Sequence, residues 1–248
     1  MYRRVYKLLF TMMLILPFIA HADTADELVY KADQYRQSTD NLKVTSLIKL
    51  YKDGQLDKER IYDVYIKPDR KSLVISQSPS EKGQRVLMID DKFWMLLPKT
   101  KRPIRITPMQ KLLGEASTGD IASMRWSEDY SAELIAPHET SGSGYNELKL
   151  RAKRKGVTYK NIELSLTPVA NTPVQAKFYL ISGKLAKIAT FEMAEIDGRQ
   201  QVSKMTLKDE IQKNRYTEIE YIARAPHSLS DKYYNPTYLA RNPSLLIQ

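Results

Sequence analysis

Apolar positions along the chain begin with a helical period and then switch to strict alternation. Thr24 and Glu27 make a capping box, and Leu28, Ala32 and Tyr35 follow at i, i+4 and i+7, which predicts an N-terminal helix with one apolar stripe. The polar run Ser38-Thr39-Asp40-Asn41 is expected to end it. From Leu42 the period is two: Leu42, Val44, Ser46, Ile48 and Leu50 alternate with Lys43, Thr45, Leu47, Lys49 and Tyr51. Asp53-Gly54 reads as a hairpin turn, and the return strand carries Tyr62, Val64 and Ile66 on one face. Pro68-Asp69 turns again, and strands are expected at 71–77, 84–89 and 92–97. Successive strands joined by tight turns predict an antiparallel meander.

Residues 107–124 break the alternation. Thr107 as N-cap, Pro108 at the first helical position and Gln110 at the third predict a helix carrying Met109, Leu112 and Leu113, stopped by Gly114. Ser117 with Asp120 three residues later predicts a second short helix with Ile121 and Met124. Strands resume at 132–136, 147–153, 160–166, 175–181, 186–196, 202–209 and 216–223, with turns at Lys155-Gly156, Ser182-Gly183 and Asp197-Gly198. The expectation is a mainly β chain of about a dozen strands with an N-terminal helix and a central helical insert. Ser141 to Gly144 is a loop between strands, not a domain boundary, and 226–248 has no clear period.

Chemistry narrows the function by what is missing. The chain has no cysteine, which excludes disulfides, thiolate metal sites, thiol catalysis and the acylated cysteine of a lipoprotein anchor. Its three histidines include one in the leader, so a histidine metal centre is not expected and no cofactor is. His138 and His227 each follow a proline in a loop without a nucleophile or acid at a motif spacing. Replacing both is expected to leave function intact. No GxSxG, HExxH, phosphate-binding or dinucleotide motif occurs. The acid pairs Asp90/Asp91 and Glu128/Asp129 read as turn caps, so the chain is expected not to be an enzyme.

Residues 1–22 read as a secretory signal, with Arg3, Arg4 and Lys7 before an apolar run from Leu8 to Ala20 and an Ala20-His21-Ala22 cleavage pattern. The run is shorter than the roughly 20 residues of a spanning helix, so cleavage before Asp23 and export are expected, leaving 23–248 as a single domain. The formal net charge is +10, which suits anionic head groups or an acidic partner. It is spread along the chain and does not suggest nucleic acid.

Strand 92–97 is apolar on both faces: Phe93, Met95 and Leu97 on one, Trp94 and Leu96 on the other. A sheet with one wet face does not need that, so the strand is either central in a sandwich or borders an apolar cavity. Met88, Met95, Met109 and Met124 cluster nearby, and methionine suits surfaces that adapt to greasy ligands. A cavity lined by Leu73, Ile75, Met88, Trp94 and Leu96 is expected, with Met109, Leu112, Leu113 and Met124 on a movable lid hinged at Gly114 and Gly119. Alternation leaves the other parity open, with Phe93 and Met95 inward.

The run Gly83 to Pro98 resembles the LolA-like outer-membrane lipoprotein-sorting family, as do Arg102-Pro103-Ile104-Arg105-Ile106, the stretch Leu113 to Asp120, Glu128-Asp129-Tyr130, and Phe191 to Leu207. The resemblance is closer to the broad branch than to LolA itself. It implies an incomplete, strongly curved antiparallel β-barrel of about 11–12 strands, closed by helices over an apolar cavity. It implies further a monomeric periplasmic carrier of lipoprotein acyl chains or other lipids, loaded by an inner-membrane donor and unloaded by an outer-membrane acceptor. Two other readings stand beside it: a lipid-binding accessory of an RND/MMPL-like permease, and a stress-sensing module that binds a membrane partner.

Overall fold

The N-terminal signals act as expected. In a computed structural model that describes residues 23–37, 41–122, 125–209 and 214–242, helix α1 runs Ala25–Arg36. Thr24 Oγ1 accepts from the Glu27 N–H at 3.3 Å, and Glu27 Oε2 accepts from the Thr24 N–H at 2.7 Å. Leu28, Val29, Ala32 and Asp33 form its buried face. The leader at 1–22, the helix-ending run Ser38 to Asp40, and Met124 lie outside the described residues.

β1 (Leu42–Lys52) buries Leu42, Val44, Ser46, Ile48 and Leu50 and leaves the alternate residues half-exposed, as a period of two requires. Next come β2 (Gln55–Lys67), β3 (Lys71–Ser76), β4 (Arg85–Ile89), β5 (Lys92–Leu96) and the short β6 (Ile104–Ile106). After the insert follow β9 (Tyr130–Ala136), β10 (Asn146–Ala152), β11 (Asn161–Leu166), β12 (Pro173–Tyr179), β13 (Leu185–Ile196), β14 (Arg199–Lys208) and β15 (Arg215–Pro226). These thirteen strands form one sheet in the order β6-β5-β4-β3-β2-β1-β15-β14-β13-β12-β11-β10-β9. All pairings are antiparallel, and all join chain neighbours except β1 with β15, which links the two halves. The thirteenth strand is β6, hidden from sequence reading by its length and by Pro103.

The sheet stays open, with β6 and β9 as its edges. Register shifts at Thr45/Ser46, Leu50/Tyr51 and Glu192/Met193 are the irregularities that bend a sheet. Its halves meet through side chains. Arg70, in the β2–β3 turn, pairs with Asp129 and with Asp91 at 3.1 Å, and Arg154 lies 3.7 Å from Asp129. Gly156 packs so closely on Asp91 that a Cβ there would stand 2.0 Å from the Asp91 Cβ. The acids read as turn caps therefore also tie one end of the sheet together.

The insert differs from expectation. In place of a helix at 107–113 there is one turn, closed by Gln110 N–H to Thr107 O at 3.0 Å, and then a hairpin of β7 (Lys111–Leu113) and β8 (Ala116–Ser117). Gly114 makes that turn at φ +53°, and a Cβ on it would meet Thr217 Oγ1 at 2.3 Å. The Thr217 hydroxyl accepts from the Glu115 N–H at 2.9 Å. Contacts from β15 thus override a local helix signal one turn long. The second helix is present as α2 (Thr118–Ile121), with the Ser117/Asp120 capping box formed; α3 (Trp126–Asp129) follows.

Two apolar clusters result. The inner one fills the concave side and includes Ile48, Val64, Val74, Met88, Phe93, Trp126, Leu150, Phe178 and Ile219. The outer one lies on the convex side of β3–β5, where the C-terminal segment covers Leu73, Ile75, Leu87 and Leu96 with Leu229, Tyr234, Leu239 and Ala240. That segment has a 3₁₀ turn at Asp231–Tyr234 and helix α4 (Pro236–Arg241).

Candidate functional site

The concave face between β1, β2 and β15 ends in a small cavity under α1 and α2, floored by Val44, Val64, Ile66 and Ile219, with Ile121 of α2 facing them. Asp33, Arg36, Arg125 and Tyr221 stand at its rim. Its free volume is about 40 Å³, room for a few waters. That space is too small for an acyl chain in this conformation, and beside it Trp126 is fully buried and meets Phe191 edge-on at 5.8 Å.

Asp33 anchors the rim. Its carboxylate accepts from the Trp126 N–H at 3.2 Å and from the Ser127 N–H and hydroxyl at 2.8 Å each. It thereby caps the first turn of α3 from α1. Burial pushes its pKa up, outweighing Arg36 and the Ser127 and Trp126 donors. Arg36 lies 3.6 Å from Asp33 and stacks 4.1 Å over the Trp126 ring.

The insert is fastened from below. Asp120 accepts from Lys187 Nζ at 2.7 Å, Ser117 N–H at 2.8 Å, Ser117 Oγ at 2.7 Å and Tyr159 Oη at 2.8 Å. Lys187 also donates to the Glu115 carbonyl at 2.5 Å. Desolvation raises the Asp120 pKa, but Lys187 and Ser117 outweigh it and hold the carboxyl below its ordinary range. Burial of Tyr159, with Asp120 beside it, pushes the phenol well up. The insert expected to form a movable lid is instead pinned by a buried ion pair, and Glu115 to Ala122 are all buried.

Gly119 is a close-approach position rather than a hinge: a Cβ there would lie 2.1 Å from Thr158 Oγ1. Gly119→Ala is expected to cost about 1–3 kcal/mol through overpacking. Thermal denaturation checks this, and an unchanged Tm would contradict the packing.

The expected site residues divide between the two faces. Met88 pairs with Phe93, and both face the inner cluster. Leu73, Ile75 and Leu96 face the outer cluster, with half-buried Trp94 at its margin, 4.6 Å from the Arg105 guanidinium. Their grouping with Met88 is corrected by the two-residue period: Leu87, not Met88, is the register partner of Trp94. Leu113 is buried in the inner cluster, and Met109 and Leu112 pack half-buried against it. Neither Asp33, Arg36 nor the Asp120–Lys187 pair was expected. Asp33 and Arg36 showed only as polar positions on the predicted helix, and Lys187 lies 67 residues from Asp120. His138 takes part in a turn with Asn146, its N–H 3.0 Å from Oδ1, and His227 meets Tyr65 edge-on.

Among the described residues, no helix is long and apolar enough to cross a membrane, and no group of three or more His, Cys, Asp or Glu could hold a metal ion.

A family model described as "Uncharacterized protein", with the suffix "-like", matches residues 68–241, most of the chain. No curated protein matches. Among solved structures, a LolA superfamily protein from Nitrosomonas europaea superposes with a TM-score of 0.80 at 28% identity, covering 88% of this chain and 100% of that one. A domain assigned to outer membrane lipoprotein sorting, from Vibrio parahaemolyticus, gives 0.68 at 19% identity, covering 88% and 98%. A DUF1329 family protein from Desulfovibrio piger gives 0.68 at 20%, covering 85% and 95%.

Proposed function

We propose that this chain, whose structure is LolA-like, is a periplasmic carrier of acyl chains, borne by lipoproteins or other lipids, delivering them toward the outer membrane. The observation that carries this reading is the inner face of β1, β2 and β15, whose apolar residues Val44, Val64 and Ile219 lead to a cavity roofed by short elements. Each methylene moved from water to an apolar lumen is worth about 0.8 kcal/mol, so a chain needs a covered path between membranes. The small cavity is that of the unloaded state. Loading parts α1 and α3 from the strands, and the chain lies on Val44, Val64 and Ile219. The pinned insert keeps the opposite wall fixed, so movement falls on the rim held by Asp33 and Arg36. An inner-membrane donor supplies the cargo and an outer-membrane acceptor withdraws it.

Native mass spectrometry of protein isolated from its own periplasm is expected to show acyl-bearing adducts. Protein that is free of lipid there, and that takes up none from a donor membrane, would contradict a carrier role. The two tryptophans localise the event. Trp126 touches the rim through Arg36, and Trp94 lies on the other face. Titration with palmitoyl lysophosphatidylglycerol is therefore expected to shift Trp126 emission in a Trp94→Phe variant. The remaining signal of Trp126→Phe should stay nearly constant, and the opposite pattern would move the ligand to the convex side.

A further inference from the structure

One base beside the cavity is left without a counter-charge. Arg224 faces the inner side of β15, opposite Val44 of β1, with its guanidinium 4.8 Å from the Tyr221 ring centroid. Its Nη2 donates to the Val202 carbonyl at 2.5 Å. Nε and Nη1 are buried with no hydrogen-bond partner, and no ion pair satisfies the group among the described residues. The acids nearby are already engaged: Asp33 by α3 and Arg36, Asp120 by Lys187, Ser117 and Tyr159. Tyr221 lines the cavity, and its hydroxyl makes no hydrogen bond among the described residues. Arg36 and Arg224 both oppose the upward push that burial gives this phenol.

A buried cation with unmatched donors is costly, and guanidinium is the side chain suited to phosphate. Resting on the carrier reading, we propose that Arg224 and Tyr221, with Arg36 opposite, form a binding site for the phosphate-class anion of a ligand whose acyl chain lies on the Val44–Val64–Ile219 floor. The cargo is then an anionic amphiphile, oriented with its head at the rim and its chain inward. The site is completed when the rim parts, since about 40 Å³ does not hold both. Neutral acyl compounds meet the same floor but leave Arg224 unmatched.

The test uses the full chain in the Trp94→Phe background and three probes: palmitoyl lysophosphatidylglycerol, monopalmitoylglycerol and inorganic phosphate. The charged lipid is expected to bind about tenfold or more tighter than the neutral one. Arg224→Met should lower that ratio about tenfold, and Tyr221→Phe about threefold. Arg224→Met is expected to melt no lower than the parent, because it removes an unpaired buried charge. Should it fail to fold, Tyr221→Phe decides alone. Displacement of the charged lipid by millimolar phosphate, at a level independent of chain length, supports the anion site and assigns it to free phosphate. Equal affinity for charged and neutral lipids, or an unchanged ratio in the folded variants, overturns the anion site and leaves the carrier reading standing. Failure of both lipids to bind overturns the two together.

Discussion

Replacing Lys187 with methionine is expected to lower the unfolding free energy by about 3–5 kcal/mol, the usual result of removing one partner of a buried ion pair. Both side chains are nearly inaccessible, at 4% and 1% exposure, so water cannot take the place of the ammonium. The Glu115 carbonyl loses a donor at the same time, and the β7–β8 hairpin loses its tie to β13. The pH dependence carries a sign. In the wild type the Asp120 pKa is depressed, so its contribution is complete above the ordinary value of 3.8 and is lost as pH falls through the lower folded value. In Lys187→Met only desolvation and the remaining hydrogen bonds act, desolvation being the largest influence. Protonating Asp120 then relieves the variant. The difference between variant and wild type is therefore expected to be greatest near neutral pH and to shrink as the solution is acidified. Urea unfolding at several pH values checks both statements, and a constant difference would mean that the pair is not buried in solution. Asp33 runs the other way: its raised pKa gives stability that is present below 3.8 and lost as pH rises through the folded value. It must be held common to both proteins in the comparison.

What could be read from the residues followed their range of interaction. The alternation of β1 is local, and so are the turns at Asp53-Gly54 and Asp197-Gly198, where all four residues take the positive φ that such turns need. Thr24 and Glu27 announce α1 because both partners of the cap lie within one turn. The segment 107–117 misled because its signals span one turn, whereas Thr217, about a hundred residues later, holds the Glu115 amide. Strand β5 was legible as apolar on both faces. What covers its second face was not, since 226–248 has no period and packs as isolated anchors, Leu229, Tyr234 and Leu239. The thirteenth strand was hidden by its three-residue length, and the Asp120–Lys187 pair because its partners are brought together by the sheet, not by spacing along the chain.

The C-terminal segment offers the other large effect. Leu239→Asp is expected to release the whole strap from β3–β5 without unfolding the sheet. Leu239 is fully buried, and truncation of such a leucine alone costs about 2–5 kcal/mol, before the penalty of placing a carboxylate there. Against this stand a short helix capped by Asn235, whose Oδ1 accepts from the Tyr238 N–H at 3.0 Å, an ion pair of Lys67 with Asp231 at 2.5 Å, and the buried Arg85 donating to the Asn242 carbonyl at 3.2 Å. The ion pair has an exposed acid, at 79%, and contributes little. The strap thus undocks as a unit of low local stability. Its amides are expected to exchange freely in hydrogen-exchange measurements while those of β3 and β4, bonded to neighbouring strands on both sides, stay protected. Leu73, Ile75 and Leu87 become bare, and an apolar patch of that kind drives self-association, visible in sedimentation as a concentration-dependent increase in mass. Trp94, at the margin of the patch, should shift its emission to the red, while Trp126 on the concave side keeps its own. Protection lost throughout β1–β4 would instead show that the strap is part of the cooperative core, and unchanged exchange in 229–241 would show that Leu239 does not hold it down.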